Sequence, residues 1–206
     1  MDRLSVVKSA AVAAPLTLCL AACPSQTPGD AKSYGSASRV EAVTAKPPAT
    51  VSVDDFCDTR RAPATLRFPP LGEDGEAPSN TAAMWINAWA SWCAPCLEEF
   101  PTLAKFEKRL AQDGVNMRFI YLSLDTEAAP LDRLRAREPN TPTTLRIRDE
   151  QALDPWLASL GLRASTMLPF HVFTRTGGNV SCIRTGTVSN RHYATIKKLL
   201  RPAPPA

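Results

Sequence analysis

Cys93 and Cys96 stand between a short apolar run and a long amphipathic one, and that placement limits the fold more than any other feature of the chain. Ala83 to Ala90 (AMWINAWA) is apolar on both alternations and too short for an ordinary helix, which predicts a strand covered on both faces. Beyond the cysteines, Leu97, Phe100, Leu103, Phe106 and Leu110 recur at three- and four-residue spacing, which predicts one amphipathic helix ending near Gly114. A strand running into a helix through Trp92-Cys93-Ala94-Pro95-Cys96 puts the first cysteine at a helix N-terminus. There, unpaired N–H groups and the positive end of the helix dipole favour thiolate over thiol. Cys96 follows one turn later, and Pro95, with its fixed φ and no N–H, suits the first turn.

The chemistry expected of that geometry is thiol–disulfide exchange. Cys93 is predicted to be the exposed nucleophile that attacks a disulfide, and the more shielded Cys96 to resolve the mixed disulfide. A structural zinc site needs four ligands, and no second Cys/His pair at zinc spacing accompanies this one; no metal or cofactor is expected. A permanent structural disulfide is the other alternative, although so short a loop gains little from cross-linking.

Further elements follow from pattern. Met117 to Leu124 is predicted as a second strand, Pro130 to Arg137 and Asp154 to Leu160 as short helices. Phe170 to Arg175 and Val180 to Arg184 flank Gly177-Gly178-Asn179, a hairpin signal. Asn190 to Leu200 reads as a closing helix with Asn190 as its N-cap. Early strand–helix–strand units predict an α/β fold with a mixed central sheet covered by helices on both faces. Trp85, Trp89 and Phe173 are assigned to the core.

At 206 residues the chain has room for one domain and appendages, and 44% hydrophobic against 21% charged residues describes a globular protein with a core. The net charge of +4 is dispersed. The arginines at 133, 135, 137, 146 and 148 are interleaved with Asp132, Glu138, Asp149 and Glu150, a solvated face with no case for a nucleic-acid partner.

The N-terminus combines Arg3 and Lys8 with an uncharged stretch from Ala10 to Ala22, too short to span a bilayer and shaped like a secretory signal. Its end, Leu20-Ala21-Ala22-Cys23, resembles the lipobox of bacterial lipoproteins. That resemblance implies a leader over 1–22, lipidation of Cys23, a bilayer partner and an envelope location. Pro24 after the cysteine favours the outer membrane, periplasmic side, in a Gram-negative host. Residues 23–54, poor in large apolar side chains, are expected to be a flexible tether, 55–201 the folded domain and 202–206 a disordered tail.

Ile86-Asn87-Ala88-Trp89-Ala90-Ser91-Trp92-Cys93-Ala94-Pro95-Cys96, continued by Glu99-Phe100-Pro101, resembles the TlpA, ResA and DsbE/CcmG branch of thioredoxin-like envelope oxidoreductases. The resemblance runs over most of Ala62 to Leu200, with Ser123-Leu124-Asp125 at the matching strand end. It implies a thioredoxin-like fold and roles for Trp92 and Pro95 beside the two cysteines. It places a cis-proline at Pro169, with Leu168 and Phe170 beside it as substrate contacts. Partners implied are protein disulfides of the envelope, among them apocytochrome c or copper-site assembly proteins, and a membrane dithiol electron donor. Asn87 stands where thioredoxin has a buried Asp, so the base for Cys96 is open: Glu98 and Glu99 are candidates, or else surface charges at a helix start.

Given lipidated Cys23 and a paired Cys93–Cys96, Cys57 and Cys182 remain in an oxidising compartment. A structural disulfide between them is expected, two free thiols or a second exchange pair being the alternatives. His171 and His192 are isolated in sequence; a strand histidine is the default for His171, a copper-handling role the rival. For the whole chain a disulfide-forming oxidase and a Cu(I) metallochaperone are the alternatives to a reductase.

Overall fold

The computed structural model describes residues 50–60, 65–72, 75–163 and 165–201. The leader, Cys23, most of the tether and the 202–206 tail lie outside the described residues.

The central strand β2 (Ala83–Trp89) is buried at every position. It pairs in parallel with β3 (Met117–Ser123) on one side and antiparallel with β5 (Phe170–Thr174) on the other. β4 (Thr144–Arg146) extends the parallel side beyond β3, while β6 (Val180–Thr185) and β1 (Thr59–Arg60) extend the antiparallel side, giving the order β1-β6-β5-β2-β3-β4. The largely apolar run at 83–90 is explained by this position, since both of its faces meet covered core.

One face carries Trp85, Trp89, Tyr121, Phe173 and Cys182, packed under Leu103, Phe106 and Leu110 of α2 (Ala94–Gln112), Leu131 and Leu134 of α3 (Ala128–Arg137), and Ile196 and Leu200 of α5 (Tyr193–Leu200). The opposite face, with Met84, Ile86, Leu122, Val172 and Ile183, is closed by Trp156, Leu157 and Leu160 of α4 (Leu153–Ser159) and the turn after it. This is the mixed sheet covered on both faces that the pattern predicts. Pro101, inside α2, has no N–H to give the carbonyl one turn back.

Residues 51–54, read from composition as the end of a tether, are docked. Val51 and Val53 pack against the core, and α1 (Val53–Phe56), capped by Ser52 accepting from Asp55 N–H, drives Phe56 into full burial against Phe173 and His192. Two valines in a polar stretch gave too weak a periodicity to mark this. The closing helix is capped by Ser189 rather than Asn190: Ser189 and His192 exchange side-chain and backbone hydrogen bonds across a 3-10 turn before α5. The reciprocal bond from residue 192 gives Ser189 an advantage that Asn190 lacks.

Candidate functional site

β2 ends at Trp89, and the chain turns through Ser91 and Trp92 to make Cys93 the N-cap of α2, with proline in the first turn. Cys93 N–H donates to Ala90 C=O at 3.0 Å, and Cys93 C=O accepts from Cys96 N–H at 3.1 Å and Leu97 N–H at 3.2 Å. Cys93 and Cys96 are joined as a disulfide, Cα to Cα 5.3 Å. The turn is clamped from below by a buried carboxylate. Asp125 accepts from Ser91 N–H at 2.9 Å, Ser91 Oγ at 2.8 Å and Ser123 Oγ at 2.6 Å, so the end of β3 holds the start of the cysteine turn.

The antiparallel register of β2 and β5 decides what lies next to the disulfide. Ala88 pairs with Phe170, so Pro169 and Leu168 continue past the strand end alongside the residues that lead to Cys93. Leu168–Pro169 is a cis bond. Pro169 C=O accepts from Gly186 N–H at 2.8 Å, whereas among the described residues neither the N–H nor the C=O of Leu168 has a backbone partner. Trp92 (74% exposed) and Met167 (72%) are the exposed large apolar side chains among the described residues, one on the cysteine turn and one on the proline segment.

Three sequence expectations change here. Cys93 is not exposed: in the disulfide it retains 5% of its surface against 1% for Cys96, because the oxidised sulfurs tuck into the apolar cluster under α2. Phe170 is no wall of the site. It is 1% exposed and lies in the opposite core, its ring 5.9 Å from that of Trp156, since strand alternation turns it away from the α2 face. Glu99 is not a surface charge, although Glu98 beside it is exposed. Glu99 is buried one turn beyond Cys96, where Oε1 accepts from Val188 N–H and lies 3.4 Å from His171 Nε2. Its spacing to Leu103, Phe106 and Leu110 puts it in phase with the buried stripe, a signal the sequence contained.

His171, the default strand histidine, is fully buried on β5 and accepts at Nδ1 from Trp85 Nε1–H at 3.1 Å, with Asn87 Nδ2 at 3.5 Å. Asn87 itself is fully buried. His192 packs against Phe56, and burial first, then Arg184, holds its imidazole down to about 4. On β3, burial, with Glu107 and Glu99 adding to it, pushes the Tyr121 phenol well above its ordinary range. Cys57 and Cys182 form a second disulfide, Cα to Cα 5.4 Å, linking the end of α1 to β6. Cys57 keeps 8% of its surface and Cys182 none. Among the described residues no three His, Cys, Asp or Glu side chains converge as metal ligands.

A cross-linked pair at a helix N-terminus, with a carboxylate one turn behind it and backbone without a partner among the described residues beside it, can exchange its disulfide with another. The fold that carries it is thioredoxin-like. It is shared with the thioredoxin domain of a thiol-disulfide oxidoreductase from Bacteroides vulgatus (TM-score 0.50, 16% identity, 67% of this chain and 99% of that one). It is also shared with a thiol:disulfide interchange protein DsbE from Chlorobium tepidum, described there as putative (TM-score 0.50, 19% identity, 70% and 96%).

Among curated proteins the chain is similar to thiol-disulfide oxidoreductase ResA of Bacillus subtilis, 26% identical over 119 residues, 58% of this chain and 62% of that protein. It is also similar to thiol:disulfide interchange protein HelX of Rhodobacter capsulatus, 42% identical over 64 residues, 28% and 32% of the two chains. The matches thus span less than two thirds of either relative's length. No family model matches the chain.

Proposed function

We propose that this protein is a thiol–disulfide oxidoreductase of the bacterial cell envelope that reduces protein disulfides through Cys93 and Cys96. The observation that carries the reading is the Cys93–Cys96 disulfide at the N-terminus of α2, at the end of the central strand. In the reduced state Cys93 is the nucleophile. The helix terminus stabilises its thiolate, and of the two cysteines it keeps the larger exposed share in the disulfide, 5% against 1%. Attack on a client disulfide joins Cys93 to the client; Cys96 then displaces the client thiolate, leaving the pair oxidised and the client reduced. Glu99, buried one turn from Cys96, takes the Cys96 proton.

An extended client segment is recognised at Leu168, whose N–H and C=O have no backbone partner among the described residues and offer strand-like bonds, with Trp92 and Met167 as an apolar rim. The clients are envelope proteins with cysteine pairs, apocytochrome c or copper-site proteins in the family's pattern, and the electrons come from a membrane dithiol donor. Lipid on Cys23 anchors the domain, a reading supported by Leu20-Ala21-Ala22-Cys23 and by the polar stretch after it.

The test of direction is the equilibrium potential of Cys93/Cys96 against a dithiothreitol or glutathione couple. Related pairs run from about −270 mV in reductants to about −120 mV in a strong oxidant. A value near the reducing end is expected, and one near the oxidising end reverses the assignment.

A further inference from the structure

Behind the cysteine pair lies a buried polar chain with a defined direction. Trp85 Nε1–H donates to His171 Nδ1, and an indole nitrogen can only donate, so Nδ1 must be the unprotonated nitrogen of that ring. The proton of His171 therefore sits on Nε2, which faces Glu99 Oε1 at 3.4 Å with both side chains buried. Oε1 also takes Val188 N–H. Glu99 Oε2, by contrast, is buried with no hydrogen-bond partner among the described residues. Oε1 thus carries the one hydrogen bond, from Val188, and lies 3.4 Å from a His171 Nε2 that makes no aligned hydrogen bond of its own, which leaves the bare Oε2 as the oxygen open to a proton. Glu99 and Cys96 are both buried and stand three residues apart, so they share one face of α2.

We propose that His171 is a positioning residue for the exchange reaction, holding Glu99 so that Oε2 takes the Cys96 thiol proton. The proposal rests on Cys93–Cys96 exchange as argued above. In the resolving step the Cys96 S–H proton passes to Glu99 Oε2, and the Cys96 sulfur attacks Cys93 Sγ of the mixed disulfide. The Cys93–client S–S bond breaks as Cys93–Cys96 forms. The electron pair leaves with the client thiolate, so the client gains the two electrons that the cysteine pair loses over the cycle. Glu99 returns its proton when a dithiol donor reopens the pair and Cys96 needs it back.

The scheme uses only the Nε2–H of His171, because Nδ1 is taken by the Trp85 donor, with the Asn87 amide 3.5 Å away. The charged or titratable groups around it are Glu99 on α2, Arg184 as its cross-strand partner on β6 and His192 ahead of α5, and Tyr121 on β3 acts on Glu99. Arg184, its Nη1 on Phe56 C=O, supplies a permanent positive charge on the neighbouring strand.

The experiment uses the reduced protein and an aromatic disulfide that releases a coloured thiolate. The first equivalent released reports attack by Cys93, and the second reports resolution by Cys96. In His171→Phe the second phase is expected to slow about tenfold near neutral pH, with an altered pH profile as Glu99 loses the N–H that faces it, while the first phase holds. His171→Gln, which can still present an N–H, recovers most of the rate. Glu99→Gln removes the acid limb and makes a further His171→Phe change silent. Trp85→Phe, which frees Nδ1, moves the second phase in the same direction as His171→Phe and serves if that variant does not fold. A second phase with the parent's rate and pH profile in His171→Phe, or in Trp85→Phe where that stands in for it, overturns the proposal. So does an equal slowing of both phases in His171→Phe and His171→Gln. A parent protein with no second phase would instead sink the exchange reading itself.

Discussion

Phe170 and His192 show how burial decides what a side chain near the cysteines does. Phe170 adjoins the proline segment in sequence, yet its ring is committed to Trp156 on the far face of the sheet. Phe170→Ala is therefore expected to cost about 3–5 kcal/mol in denaturant unfolding, the usual range for a buried aromatic, while the first exchange step keeps its rate. His192 makes a pH-dependent contribution. Its imidazole is held at about 4 in the fold, against an ordinary 6.5. Between those values the unfolded chain takes up a proton that the folded protein refuses, so stability falls as pH drops from 6.5 toward 4 and is insensitive to this group above 6.5. Denaturation series at pH 7 and pH 5 should show the loss. His192→Gln, which keeps a side chain suited to the third position of the cap, should flatten it. At this scale the cysteines and Pro95 were legible because a motif carries them. Glu99 was half legible, since its helical phase puts it inside while its charge suggests outside. His171 had no local signal: its partners Trp85 and Glu99 are 86 and 72 positions away, and only strand register brings them together.

Among the elements, the long ones were legible. β2, β3, α2 and the β5–β6 hairpin follow from continuous apolar runs or clear periods. The edges were not. β1 has two residues and β4 three, too few for alternation to register, and their place depends on hydrogen bonds to β6 and β3. The N-terminal arm shows the same limit. α1 is one turn long and would not hold alone; it is kept by Phe56 in the core, by the β1–β6 pairing and by Cys57–Cys182. That disulfide closes a 125-residue separation, for which the chain-entropy view gives about 5 kcal/mol, and measured bridges deliver about 2–4. Replacing both cysteines by alanine should lower the unfolding free energy by about 2–4 kcal/mol, read by urea denaturation. Exchange at Cys93 should persist, because the two disulfides are separate. Loss of exchange with unchanged stability would contradict the structural assignment.

Across the whole molecule, one sheet organises two cores of different character. The face under α4 buries Met84, Ile86, Leu122, Val172 and Ile183 with Trp156. The face under α2 and α5 embeds Asn87, Glu99, His171 and His192 among aromatics, next to the cysteine pair. Buried polar groups without full partners are costly, and among the described residues Asn87 Oδ1, Glu99 Oε2 and His171 Nε2 have no hydrogen-bond partner. A protein selected for stability alone would have filled these places with apolar side chains; the proposed proton transfer to and from a shielded sulfur would give Glu99 and His171 a use. The claim beneath all of this is that Cys93 attacks and Cys96 resolves. The most direct measurement is non-reducing mass analysis of the Cys96→Ser protein after mixing with a disulfide-bonded protein client, with Cys93→Ser in parallel. The account expects Cys96→Ser to accumulate a client joined through Cys93, and Cys93→Ser to form no adduct and exchange at background rate. Exchange by Cys93→Ser at the parent's rate, or adducts through another cysteine, would contradict it.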